Sequence, residues 1–175
     1  GPFLCTREFA RNAIDNGISI EEADAVIGRP MGIPNTGVFG LIDLVGLDLM
    51  PHILSGLGNA LPKTDAFHAI YREPELIKKM IADGYTGRKG KGGFYRLNTE
   101  GGGRIKEAID LATGEYKTAK RPKLKSVAAG NKKGLRAMVE YSDRTGQYGW
   151  RVISRTLAYA ASLVGQRLGA DQMHT

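Results

Sequence analysis

The chain has 175 residues, of which 42% are hydrophobic and 25% are charged, close to ordinary globular usage. This length can bury a hydrophobic core, which argues against a wholly disordered chain. Glycine is about twice as frequent as usual, with 24 residues and no three-residue period, so a collagen-like repeat is excluded and many turns and helix ends are predicted.

Cysteine and histidine are too scarce for a disulfide-stabilised protein or for a protein with a Cys/His zinc site. The single cysteine, Cys5, excludes an internal disulfide framework, and with three scattered histidines it leaves no zinc site of familiar spacing. Cys5 lies among apolar residues and is predicted to be a small core side chain. No apolar run reaches the ~18 residues of a membrane span. We therefore expect no metal, no membrane span and a cytoplasmic location. The start at Gly1-Pro2 indicates a piece of a longer protein.

Charge is distributed unevenly along the chain. Residues 1–100 carry 11 basic and 12 acidic side chains, whereas residues 101–175 carry 14 and 6. The stretch 117–136 holds eight basic residues and no acidic one. The polar, glycine-rich stretch 98–103 separates the two halves and is predicted to be a hinge.

The first half has the pattern of a helical domain. A helix through Leu4, Phe9, Ala13 and Ile14 is predicted to end at Gly17. Ser19 and Glu22 have the spacing of a capping box, which predicts a short helix to about Ile27. A loop rich in glycine and proline follows. Residues 38–57 are strongly apolar and predict two helices meeting near Gly46, with Pro51 in the first turn of the second. Residues 74–82 predict one more helix.

The second half combines a hairpin with further helices. Residues 105–117 have β-branched and aromatic residues around Thr113-Gly114, which predicts a β-hairpin. Residues 120–130 are predicted to be an extended basic linker, and residues 132–141 and 148–168 to be helices. The long helix would bury one apolar face: Trp150, Ile153, Leu157, Ala160, Ala161 and Val164. No strand–helix alternation occurs, so we predict a mainly α fold.

No catalytic set stands out. The glycine run 87–95 lacks the Lys-Ser/Thr of a phosphate loop, and Gly56-Leu-Gly58 lacks the third glycine of a dinucleotide motif. The basic stretch 117–136 could bind nucleic acid, although only Tyr116 and Tyr141 are available for stacking. It could equally be a solvated linker, or contact an anionic small ligand such as coenzyme A.

Two ordered motifs nevertheless resemble a known family. The first is Gly37-Val-Phe39 followed by Leu41-Ile-Asp-Leu-Val-Gly-Leu-Asp48, and the second runs from Asp83-Gly-Tyr-Thr-Gly-Arg-Lys89 to Gly93-Phe94-Tyr95. Together with the preceding helices they resemble the C-terminal helical domain of 3-hydroxyacyl-CoA dehydrogenases over residues 4–97. Val38 stands where the family has proline.

The resemblance implies a division of the chain and a reaction. Residues 1–97 would form the dehydrogenase C-terminal-like domain, residues 98–130 the hairpin and basic linker, and residues 131–175 a partial second copy of the helical domain. The parent protein would oxidise an L-3-hydroxyacyl-CoA to the 3-ketoacyl-CoA with NAD, in fatty-acid β-oxidation. The family's catalytic histidine and glutamate lie in a preceding nucleotide-binding domain. No catalytic residue and no cofactor are therefore expected in this chain, which alone would be inactive.

The resemblance also implies roles for particular residues. The substrate-facing residues would be Pro34, Gly37, Val38 and Phe39. Independently of the resemblance, we predict structural roles for Asp43, Asp48, Phe94 and Tyr95. Buried Asp43 would accept donors from the loop 28–36 and hold it in place. The expected partners are the acyl-CoA substrate, the NAD-binding domain and a second copy of the chain, with no specific nucleic acid. The alternative is a non-enzymatic basic module for nucleic acid or another anionic partner.

Overall fold

The structure is a computed structural model that describes residues 13–65, 67–68 and 74–168. The predictions for Leu4, Cys5 and Phe9 lie outside the described residues. The fold is mainly helical, with one small antiparallel sheet, as predicted. Its helices are α1 (Ile20–Val26), α2 (Gly37–Val45), α3 (Leu49–Ala60), α4 (Glu75–Ala82), α5 (Lys125–Lys133), α6 (Leu135–Val139) and α7 (Arg144–Leu168). Its strands are β1 (Tyr95–Asn98), β2 (Ile105–Ile109) and β3 (Tyr116–Thr118).

Helix α1 begins with the predicted capping box. The Ser19 hydroxyl accepts from the Glu22 backbone N–H at 3.3 Å, and the Glu22 carboxylate accepts from the Ser19 N–H at 3.0 Å. Glu22 also forms an ion pair with Arg144 at 2.7 Å. The start of α1 is therefore fixed locally by its own cap and, across the chain, by the first residue of α7.

Helices α2 and α3 meet at a corner formed by Gly46 and Leu47. Gly46 adopts a φ of 113°, which ends α2, and the Leu47 N–H then donates to the Thr86 carbonyl at 3.0 Å. Pro51 lies in the first turn of α3, as predicted. In the described part of the chain, no single helix is long and apolar enough to cross a bilayer. Helices α2 and α3 meet at an angle of 90°. Only when they are taken together do they have the length and composition of a membrane span.

The sheet has three strands in the order β1-β2-β3, so the predicted hairpin is confirmed but a further strand was missed. Tyr95 pairs with Ala108 and Asn98 with Ile105, and the segment between them turns through a short 3₁₀ stretch. The hinge predicted at residues 98–103 is therefore wrong, because this segment connects two paired strands. Strand β1 is only four residues long and follows a glycine-rich run. It is therefore too short to show the alternation of apolar and polar residues that predicts a strand.

The linker predicted over residues 120–130 is wrong in its second half, where α5 begins at Lys125. The helix forms because its small residues pack closely: Ser126 is fully buried against the Thr145 hydroxyl at 2.7 Å. The predicted helix 132–141 is divided by Gly134, whose φ is 87°, into the end of α5 and the short α6. Helix α5 thus crosses the proposed boundary at residue 130.

The long helix α7 is confirmed, but it buries a different face from the predicted one. Trp150 is 56% and Leu157 64% exposed, whereas Tyr148 and Val152 are buried. The reason is close packing against α1: a Cβ atom on Gly149 would lie 3.1 Å from the Val26 side chain. Small residues on this face allow α7 to approach the first half of the chain, which the apolar pattern alone does not indicate.

Candidate functional site

A buried carboxylate, Asp24, begins the site. Asp24 lies on the buried face of α1 with only 7% of its surface exposed. Its Oδ1 accepts from the Phe39 N–H at 2.7 Å, and its Oδ2 accepts from the Gly40 N–H at 3.1 Å. These N–H groups belong to the first turn of α2, whose own N-cap residue, Thr36, makes no side-chain cap bond. Asp24 therefore serves as a long-range cap that satisfies free donors at the positive end of the α2 dipole.

A second buried carboxylate, Asp43, lies one helix further on and is 3% exposed. Its Oδ1 accepts from the Phe94 N–H at 2.7 Å and its Oδ2 from the Tyr95 N–H at 2.8 Å. The prediction that Asp43 accepts donors from the loop 28–36 is therefore wrong. The carboxylate instead fixes the start of β1, because α2 directs Asp43 toward the Phe94 and Tyr95 N–H groups.

Tyr95 joins the two carboxylates. Its backbone N–H is bound by Asp43, and its hydroxyl donates to Asp24 Oδ2 at 2.8 Å. The preceding ring, Phe94, packs edge-on against Phe39 with centroids 4.9 Å apart. We call Asp24, Asp43 and Tyr95 the carboxylate clamp. It connects α1, α2 and β1, which are far apart in sequence.

Two glycines are needed for these close approaches. Gly37 has a φ of 68°, and a side chain there would overlap the Asp24 carboxyl group. A side chain on Gly93 would overlap the Asp43 carboxylate. The two motifs that resemble the family thus each supply a glycine that lets a carboxylate reach backbone N–H groups.

Burial raises the proton affinity of both carboxyl groups in the clamp. Desolvation raises the pKa of Asp24 to about 7, opposed by its bonds from Phe39, Tyr95 and Gly40. Desolvation likewise raises the pKa of Asp43 to about 6, opposed mainly by the Tyr95 and Phe94 N–H groups. Burial, with the nearby Asp24 charge, also raises the pKa of the Tyr95 phenol, which keeps it a hydrogen-bond donor.

Beside the clamp lies an open cleft of about 1360 Å³. Asp24, Asp43 and Tyr95 contribute to its wall. Basic side chains from three segments also line it: Arg88, Lys91, Arg96, Lys106, Lys120 and Arg121. Leu97, Ala119 and Pro122 add apolar surface. The cleft therefore combines a fixed polar wall with a cationic rim.

The predicted substrate-facing residues differ in their exposure to solvent. Pro34 is exposed on the loop before α2, whereas Gly37, Val38 and Phe39 are buried, Phe39 completely. Among the predicted structural residues, Asp48 forms an ion pair with Lys89 at 3.0 Å, and this partner lowers the pKa of its carboxyl. Asp48 Oδ1 is buried without a hydrogen-bond partner.

Asp24 is the residue that sequence reasoning missed. The helical period could have found it, because Ile20, Asp24 and Ile27 follow at intervals of four and three and therefore share one face. A carboxylate on an apolar face requires hydrogen-bond donors, and the first turn of α2 supplies them.

The described residues do not form a nicotinamide site. Gly56 and Gly58 lie inside helix α3, not in the turn between a strand and a helix that binds dinucleotide phosphates. Within the described ranges, no group of three or more His, Cys, Asp or Glu side chains could hold a metal ion. What the described site can do chemically is accept and donate hydrogen bonds and attract anions.

Comparison with known proteins agrees with the motifs. Residues 5–97 match the family described as 3-hydroxyacyl-CoA dehydrogenase, C-terminal domain. Because the match covers more than half of the chain, the chain belongs to this family, and the predicted resemblance is confirmed.

Relatives extend the likeness beyond the matched domain. A protein of Rickettsia prowazekii, provisionally named fatty acid oxidation complex trifunctional enzyme, is 45% identical over 104 residues, covering 59% of this chain and 14% of its own. A Bacillus subtilis protein, provisionally named 3-hydroxyacyl-CoA dehydrogenase, is 31% identical over 166 residues, covering 92% of this chain and 20% of its own. The chain thus spans a fifth or less of these relatives. No solved structure matches at a significant level.

The raised pKa of Asp24 predicts a measurable pH dependence. An unfolded aspartate titrates near 3.8, so the folded chain holds the proton more tightly, and its free energy of unfolding should fall as pH rises from about 4 to about 7. Asp24→Asn removes this titration. Relative to the variant, the wild type should lose about 2–3 kcal/mol between pH 5 and pH 8, measured by urea unfolding. Exposed Asp83→Asn is the control. Parallel profiles for the wild type and Asp24→Asn would contradict this assignment.

Asp43→Ala should destabilise the chain strongly. The Phe94 and Tyr95 N–H donors lose their acceptor, at about 1–3 kcal/mol each, so we expect a loss of about 2–6 kcal/mol in the free energy of unfolding. Asp48→Ala, which removes a partly exposed ion pair with Lys89, should cost much less. Chemical denaturation of both variants tests this difference, and equal losses would show that the clamp contributes no special stability.

Proposed function

We propose that this chain is the substrate-binding and dimerisation portion of an NAD-dependent L-3-hydroxyacyl-CoA dehydrogenase of fatty-acid β-oxidation. The observation that carries the proposal is the carboxylate clamp, since it brings the two family motifs together into one wall of an open cleft. Family membership and the names of the relatives support the same reaction. Oxidation of the 3-hydroxyl would yield a 3-ketoacyl-CoA and NADH.

The portion would act by positioning its substrate. Hydride transfer gains rate when the reacting groups are held in line and water is excluded. Pro34 is exposed and is the predicted substrate-facing residue that can contact an acyl chain directly. We propose that Gly37, Val38 and Phe39 support the loop from behind, because their surfaces are buried.

The chemistry of the reaction is assigned to residues outside this chain. NAD would accept the hydride when bound to the nucleotide-binding domain that the family resemblance implies. The described residues here hold no dinucleotide turn, so we derive no catalytic step from them.

An exposed apolar surface supports the dimerisation role. Helix α3 has no buried residue although it is rich in leucine and isoleucine, and Leu44, Val45 and Leu49 are exposed at the α2–α3 corner. Monomeric proteins rarely leave such a contiguous apolar surface open to water. A second copy of the chain packed on the α2–α3 corner would cover it.

The alternative of a nucleic-acid module has less support. Tyr116, which borders the basic stretch, donates its hydroxyl to the Gly93 carbonyl at 2.6 Å and has the Arg96 guanidinium 4.0 Å from its ring centroid. Its ring is therefore engaged within the protein and unavailable to stack on a base, which single-strand binding requires.

The chain alone should form no NADH from 3-hydroxybutyryl-CoA and NAD, because the proposed base and nicotinamide site lie elsewhere. Mixing it with the separately produced nucleotide-binding portion of a relative should produce NADH, and the Asp43→Ala variant should support much less. Turnover by the chain alone would contradict the assignment of chemistry. Failure of every mixture, with both parts shown to be folded, would contradict the substrate-binding role.

Leu44→Lys should shift the chain from dimer to monomer. The substitution is compatible with the fold because the side chain is 55% exposed and a cation suits the C-terminal turn of α2. Sedimentation velocity at several concentrations measures the change, with Leu157→Lys on the exposed face of α7 as the matched control. A wild-type chain that is monomeric at all concentrations, or a control that dissociates equally, would overturn the dimer proposal.

A further inference from the structure

The cationic rim of the cleft is not neutralised within the described part of the chain. Lys91 donates to the Asp83 carbonyl at 3.0 Å, and Arg96 pairs with Glu107 at 2.6 Å. By contrast, Arg88, Lys106, Lys120 and Arg121 form no ion pair with any described carboxylate, although all four line the same cleft. The side-chain donors of these four residues are therefore available to a ligand, although the charges of Arg88 and Lys106 also act on the buried Asp43 and partly offset the desolvation that raises the pKa of its carboxyl.

These charges converge from separate parts of the fold. Arg88 follows the glycine turn before β1, Lys106 lies in β2, and Lys120 and Arg121 follow β3. Lys106 Nζ lies 4.2 Å from the centroid of the Tyr95 ring, which holds the amine against the clamp. The Lys120 backbone N–H donates to Glu21 at 3.0 Å, which ties the segment after β3 to α1. Lys106 thus contacts the clamp directly, and the segment of Lys120 and Arg121 is connected to it through α1.

The carboxylates in the same wall offer few free acceptors to a ligand. Both oxygens of Asp24 and both of Asp43 accept hydrogen bonds from backbone or phenol donors. Glu21 accepts from the Lys120 backbone. An incoming ligand meets side chains that can donate and few free acceptors, so it must carry several anionic oxygens.

The size and lining of the cleft narrow the ligand further. At about 1360 Å³ it exceeds the common range of ~300–1,000 Å³ for small-molecule pockets, so it is too large for a single inorganic ion. Leu97 and Pro122 offer apolar surface beside the cations, which suits a purine ring. Arginine and lysine favour phosphate because they form charge-assisted hydrogen bonds with it.

We propose that this cleft binds the phosphorylated nucleotide end of the acyl-CoA substrate, with Arg88, Lys106, Lys120 and Arg121 receiving its phosphate groups. The inference rests on the proposed function for the identity of the ligand, but the anion site itself does not. Residues after the family-matched domain would then take part in substrate binding, since Lys106, Lys120 and Arg121 all lie beyond residue 97.

Calorimetric titration of the 175-residue chain tests the proposal with five probes: coenzyme A, 3′-dephospho-coenzyme A, ADP, pantetheine and inorganic pyrophosphate. Coenzyme A should bind more tightly than its dephospho form, pyrophosphate more weakly, and pantetheine undetectably. The Lys106→Gln/Lys120→Gln variant should weaken coenzyme A binding about tenfold or more, because two phosphate contacts are lost. The control variant Lys132→Gln/Lys133→Gln removes the same charge from α5, outside the cleft, and should change affinity less than about twofold. Thermal melts verify that both variants are folded.

The possible outcomes test separately whether the cleft binds phosphate and whether its ligand is coenzyme A. Equal weakening by both variants would indicate diffuse surface charge and overturn the site, as would no binding of any phosphate probe. Pantetheine binding as tightly as coenzyme A would overturn phosphate recognition. If pyrophosphate and ADP bind in a variant-sensitive way but coenzyme A binds no better than ADP, the anion site is retained and the assignment to coenzyme A is wrong. None of these readouts depends on dehydrogenase activity.

Discussion

The fold of the first half depends on burying two carboxylates almost completely. A buried carboxylate is tolerated only when its oxygens are fully hydrogen-bonded, and Asp24 and Asp43 meet this condition with backbone N–H groups from α2 and β1. Each bond fixes a main-chain segment as well as a side chain. Helix α1, helix α2 and strand β1 therefore take one relative arrangement, in which Phe39 and Phe94 pack together.

The same constraint reaches the second half of the chain through Tyr95 and its strand. Arg96, the next residue, pairs with Glu107 on β2 and lies against the rings of Tyr85 and Tyr116. Helix α7 then closes on α1 through Arg144, which binds both Glu22 and the Gly17 carbonyl. The segment after the family-matched domain is thus built onto the clamp, which is why the basic side chains it carries face the same cleft.

Much of the helical domain could be predicted from sequence because its signals are local. The capping box at Ser19 and the break at Gly46 depend on neighbouring residues, and both are confirmed. Strand β1 was missed because four residues after a glycine run carry too little alternation, and α5 because its small residues form a helix only when packed on Thr145 and Met138. The partner of Asp43 could not be read from its neighbours, since its donors lie some 50 residues away in sequence. The cleft is likewise a product of tertiary contacts.

Native-state hydrogen exchange tests the central claim most directly. The amides of Phe39, Gly40, Phe94 and Tyr95 donate to the two carboxylates and should exchange only when the whole chain unfolds, with opening free energies equal to the global value from denaturation. Amides in the turn at residues 99–103 should exchange much faster and serve as the internal reference. If the four clamp amides exchange through local opening at free energies well below the global value, the carboxylate clamp does not hold the domain together.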